Sequence, residues 1–99
     1  MNETEALAYL EIYCEPLIDP QLPVLTLEMV LRRYACEDGT FTDDGLLRAI
    51  ADAWDLKANK ATDHHDVSVN GRGMSAEQVK KNCEERAKFY RRRLAVNVA

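Results

Sequence analysis

Leu47, Ile50, Trp54, Ala58 and Ala61 recur at steps of three or four, which puts all five on one face of a single long helix. Thr42 stands at its start as a cap. Asp43 and Asp44 follow, placing negative charge at the positive end of the helix dipole. A stripe of this length has to be buried against other elements, and it constrains the rest of the chain more than any other feature. Trp54 at its centre reads as core, with the indole N–H seeking a partner. Lys57 and Lys60 flank it and can snorkel over the same surface. Asp52 and Asp55 read as its solvated face.

Three further helices are expected. Glu3 to Cys14 carries Ala6, Leu7, Leu10, Tyr13 and Cys14 at helical spacing, with Asn2 and Glu5 placed as a capping box. Pro16 ends it by disfavouring helical geometry at Glu15. Residues 16–25 hold all three prolines and read as an ordered, rather apolar connector. A second helix is expected from about Thr26, with Leu27, Val30, Leu31 and Tyr34 on one side, stopping before Gly39. The last helix opens at Ser75, where Gln78 completes a capping box and Met74 and Val79 form a hydrophobic staple. It continues through Val79, Cys83, Ala87, Tyr90 and Leu94 at i+4 steps. Between these helices the period changes. Val67 and Val69 alternate with polar neighbours, and Asn70-Gly71 suits a type I′ turn, so residues 66–74 predict a short β-hairpin laid against the helices. Leu94, Val96 and Val98 alternate with Ala95, Asn97 and Ala99, so residues 94–99 predict an extended tail. The expected fold is therefore mainly α: one domain over residues 1–93, a small bundle of about four helices with a hairpin before the last, then the tail. Its expected core includes Leu47, Ile50, Trp54, Val79, Cys83, Ala87 and Tyr90.

Composition limits the partners. At 99 residues the chain makes one small domain, and a partner's surface would add to its stability. The net charge of −4 conceals an uneven distribution: residues 1–47 carry ten acids against Arg32 and Arg33, whereas residues 48–99 carry eleven bases against seven acids. The acidic half argues against a general nucleic-acid binder. The longest apolar run, Ala6 to Leu10, is too short for a membrane span or a signal-peptide core, so neither membrane nor leader is expected. Cys14, Cys36 and Cys83 are an odd, scattered set that reads as small core hydrophobes rather than a disulfide framework.

Reactive constellations are few. His64-His65, flanked by Asp63 and Asp66, lacks the i,i+4 spacing of helical metal ligands and reads as a polar turn. Asp43-Asp44 and Asp52/Asp55 have no evident base partner. No glycine-rich phosphate cradle or nucleophile elbow occurs. No enzyme, cofactor or metal is expected. Arg91-Arg92-Arg93 admits two readings, cations favoured by a helix C-terminus or a contact made with a partner.

The block from Gly45 to Ala61 with Trp54 and Lys57-Ala58, then Val67 to Gly71, then the capped helix Ser75 to Arg93, resembles the small head-to-tail adaptor (connector) proteins of long-tailed bacteriophages. The resemblance spans Leu46 to Arg93, about half the chain, and rests on packing patterns. It implies a structural virion protein of the phage neck, made in the host cytoplasm, which assembles as a dodecameric ring below the portal. Such a ring extends the DNA channel, lets DNA pass without sequence-specific binding, and presents its lower face to a stopper or tail-terminator protein. The portal-docking tail of that family corresponds here to Arg91, Arg92, Arg93, Leu94, Ala95, Val96, Asn97, Val98 and Ala99. Acidic and basic halves suit a ring in which one patch meets a different one. Two readings compete with it. One is a small helical DNA-binding or regulatory module using Lys80 to Arg93; the other is a metal enzyme built on the histidine pair.

Overall fold

Four helices follow one another: α1 (Glu3–Cys14), α2 (Val24–Arg32), α3 (Asp43–Asp63) and α4 (Ala76–Asn97). The computed structural model describes residues 1–17, 20–63 and 76–97. The capping box at α1 forms as the sequence indicates: Asn2 Oδ1 accepts from the Glu5 N–H at 2.8 Å, and Glu5 Oε1 accepts from the Asn2 N–H at 3.4 Å. At its other end Glu15 takes a left-handed conformation, φ 50°, ahead of Pro16. α2 starts at Val24, two residues before Thr26, because Pro23 already holds φ at −63° and serves as the N-cap. It ends at Arg32, where i→i+3 bonds to the carbonyls of Val30, Leu31 and Arg32 tighten the chain into a turn. Thr42 Oγ1 accepts from the Gly45 N–H at 3.0 Å and caps α3. Gly45 lies where α3 meets the end of α2: a Cβ there would stand 3.2 Å from the Tyr34 carbonyl oxygen.

α3 and α4 make the most extensive helix contact. They run antiparallel, since Tyr90 and Arg93 toward the end of α4 lie beside Asp43, Leu46 and Leu47 at the start of α3, while Arg86, earlier in α4, reaches Trp54. Ala49, Ala53, Ala58 and Ala61 are buried, and these small side chains let the helices approach. α1 and α2 cover α3, contributing Ala6, Leu10 and Cys14, and Leu27, Val30 and Leu31. Of the residues expected in the core, Ile50, Trp54, Val79, Cys83, Ala87 and Tyr90 are buried. Leu47 is only partly so, and Leu46 takes the inner position.

The expected fold needs two corrections. α4 continues as helix to Asn97, so Leu94 to Asn97 are not extended. Each residue added to an existing helix gains a hydrogen bond without a new nucleation cost, whereas a lone strand has nothing to pair with. Residues 98 and 99 lie outside the described residues. The β-hairpin is likewise no part of the described fold. No strand occurs among the described residues, residues 66–74 lie outside them, and the four helices offer no sheet edge for a ribbon to join.

Candidate functional site

The most unusual side chain is Lys57. It stands three residues after Trp54 on the buried face of α3 and is only 1% exposed. Its ammonium donates to the carbonyl oxygens of Cys14 at 3.0 Å and Glu15 at 2.6 Å, and lies 4.4 Å from the centre of the Trp54 ring. The Trp54 indole N–H donates to the Tyr13 carbonyl at 3.1 Å. Three successive carbonyls at the end of α1, which an isolated helix leaves without intrahelical partners, are thus capped from α3. α1 has no basic residue of its own in its last turn, so Lys57 also supplies the cation that its dipole favours. Lys60 extends the arrangement, donating to the Gln21 carbonyl at 2.7 Å. Two lysines and a tryptophan of α3 therefore fasten the start and finish of the connector between α1 and α2.

Burial dominates the electrostatics of this cluster. Burial holds the Lys57 pKa below its ordinary value. Burial pushes the Cys14 thiol up to about 11 and raises the Cys83 thiol as well, which keeps both protonated and poorly nucleophilic at neutral pH. No buried side-chain nitrogen or oxygen lacks a hydrogen-bond partner among the described residues.

Asp52 forms a second junction. Its carboxylate accepts from the Tyr34 hydroxyl and from Arg91 Nη2 at 3.2 Å, and Arg33 approaches to 3.9 Å. Arg91 also donates to Asp55 at 2.5 Å. Asp52 and Asp55, expected on a solvated face, thereby link the end of α2 to α3 and α4. The Tyr34 hydroxyl titrates above its ordinary value chiefly because of its bond to Asp52.

An open groove of about 380 Å³ lies between α1, the first half of α3 and the end of α4. Leu46, Leu47 and Ile50 contribute apolar surface, Tyr9, Tyr13 and Tyr90 add aromatic rings, and Asp43 and Arg93 bring opposite charges. Tyr13 packs edge-on against Tyr90, ring centres 6.3 Å apart.

The residues expected in the docking tail separate accordingly. Arg91 is committed to Asp52 and Asp55, Arg93 lies over the Phe89 ring at 5.8 Å and borders the groove, and Arg92 is exposed. Leu94, Ala95, Val96 and Asn97 belong to α4. His64-His65, Asp66 and the Ser75 cap lie outside the described residues, among which no group of acidic, histidine and cysteine side chains is placed to hold a metal. No helix among the described residues is long and apolar enough to cross a membrane. The Lys57 clamp and the tyrosine-lined groove escaped the sequence reading. The clamp had a signal, a lysine at a position that Trp54, Ala58 and Ala61 mark as buried. The groove had none, because three helices distant in sequence build it. Comparison with family models, with curated proteins and with solved structures finds no match for the chain.

Proposed function

We propose that the chain is a non-catalytic assembly subunit, and specifically a head-to-tail adaptor of a long-tailed phage that forms a ring below the portal. The observation that carries the assembly reading is the exposure of large apolar side chains on the helices covering α3. Ile12 of α1 is 66% exposed, and Leu25 and Met29 of α2 are 65% and 59% exposed. Side chains of this size concentrated on a nine-residue helix suit an interaction surface better than free solvent. The protonated buried thiols and fully engaged Lys57 favour binding over catalysis. The resemblance over Leu46 to Arg93 supports the finer reading, in which the basic end of α4, with Arg92 and Arg93 exposed, faces the portal as helix. The ring's other face would meet a stopper or tail-terminator protein, and DNA would pass through without base-specific contacts.

The competing DNA-binding module would use Lys81, Lys88 and Arg92 on the outer side of α4, where Glu77, Glu84 and Glu85 interrupt the positive charge. Sedimentation of the purified chain with a portal ring, and separately with duplex DNA, at two salt concentrations distinguishes the two. Co-sedimentation with the portal is expected. Salt-sensitive binding to DNA with no portal association would replace the adaptor by the module.

A further inference from the structure

Two opposite charges line the groove between α1, α3 and α4 without meeting each other. Asp43, the first residue of α3, and Arg93, toward the end of α4, both border it. Among the described residues neither side chain makes a hydrogen bond or an ion pair, and Arg93 only lies over the Phe89 ring. Arg91, two residues earlier, is by contrast held by Asp52 and Asp55. Tyr9 and Tyr13, one turn apart on α1, are 45% and 44% exposed and line the same space. Leu46, Ile50 and Tyr90 are nearly fully buried, so they form its floor and offer only their edges. Tyr13 meets Tyr90 at an interplanar angle of 64°, which makes two walls of an aromatic corner rather than a closed stack.

We infer that this groove is a binding site for a small zwitterion carrying a trimethylammonium group, of the glycine betaine class. A quaternary ammonium has no N–H to donate, so it is held by aromatic ring faces and by a carboxylate rather than by hydrogen-bond acceptors. Tyr9 and Tyr13 supply the rings, Asp43 the carboxylate, and the floor of Leu46, Leu47 and Ile50 gives the methyl groups apolar surface. The ligand's own carboxylate then falls to Arg93, whose planar guanidinium matches it with paired donors. An unmethylated ammonium is more strongly hydrated and gains less from the rings. Size agrees with a metabolite rather than a peptide. The groove's volume of about 380 Å³ lies at the small end of the range for ligand clefts, roughly 300–1,000 Å³. Every part of the site comes from one chain, so it stands independently of the assembly reading.

Saturation-transfer NMR on the full chain, observing the ligand, gives affinities for glycine betaine, choline, glycine and acetate in turn. Glycine betaine should saturate the site. Choline, which lacks the carboxylate, should bind about five- to tenfold more weakly, and glycine and acetate more weakly still. Tyr9→Leu keeps an apolar side chain but removes the ring, and should weaken glycine betaine and choline alike by about two- to fivefold. Arg93→Gln should reduce glycine betaine to the level of choline and leave choline unchanged, a split that a general loss of structure would not produce. Asp43→Asn, at an exposed position, should weaken both cations and serves if Tyr9→Leu melts early. A glycine betaine signal that never saturates, glycine binding as tightly as glycine betaine, or an Arg93→Gln variant that weakens both cations equally would overturn the proposal. Binding to phosphatidylcholine vesicles with no binding of the free zwitterion would also overturn it, and would assign the groove to a lipid headgroup instead.

Discussion

Replacing Lys57 by methionine keeps most of the side chain's length and apolar stem while removing the ammonium. The Cys14 and Glu15 carbonyls then lose their donor, and Glu15 keeps its left-handed backbone without the bond that holds it. Two hydrogen bonds to a charged group contribute about 3–6 kcal/mol together. Removing a buried cation recovers part of its desolvation cost, and a well-packed apolar replacement for a buried ion pair is often neutral or better. Here, however, the partners are helix-end carbonyls that remain in place and cannot be replaced in the same change. The expected loss is therefore about 2–4 kcal/mol, a large share of the 5–15 kcal/mol typical of a domain. For a chain of this size it corresponds to a melting point lowered by roughly 10–25 °C. Urea unfolding followed by circular dichroism and by Trp54 fluorescence gives the value. The pH dependence adds a second check. Because the folded Lys57 pKa lies below the ordinary 10.5, the unfolded chain holds this proton more tightly. The wild type should therefore gain stability relative to Lys57→Met as pH rises toward 10.5. A variant with an unchanged or higher midpoint would show that the ammonium is a net burden and the α1 cap dispensable.

Three other outcomes follow from the same contacts. Trp54→Ala should cost about 3–5 kcal/mol, read as a lower denaturant midpoint; an unchanged midpoint would mean the ring is not core. The Cys14 pKa is raised, so its contribution is fully present below pH 9.0 and is lost as pH climbs toward about 11. Cys14→Ala should remove roughly 2–3 kcal/mol of that alkaline decline, visible as a flatter stability profile over this window. Asp52→Asn should bring the Tyr34 hydroxyl back toward 10.0, measured by phenolate absorbance, with a stability loss of only about 1 kcal/mol because Arg91 and Arg33 are half exposed.

Local signals in the sequence were sufficient where the structure is decided locally. Asn2 with Glu5 marks the start of α1, Pro16 its end, and Thr42 the start of α3, because each acts through atoms within one helical turn. The α3 stripe likewise places Ile50, Trp54, Ala58 and Ala61 in the core. Features that depend on distant residues were not legible. The alternation of Leu94 and Val96 has the period of a strand, yet a preceding helix of eighteen residues, from Ala76 to Arg93, carries the chain on as helix. Asp52 looks solvated until Tyr34 and Arg91 arrive from the ends of two other helices. Lys57 lies between these cases, since its register is local and its carbonyl partners are more than forty residues away.

The assembly role is tested most directly by native mass spectrometry of the purified chain mixed with purified portal rings. Discrete complexes carrying one copy of the chain per portal subunit are the predicted result. Portal rings that retain their own mass, with the chain remaining an 11.3 kDa monomer, would contradict it.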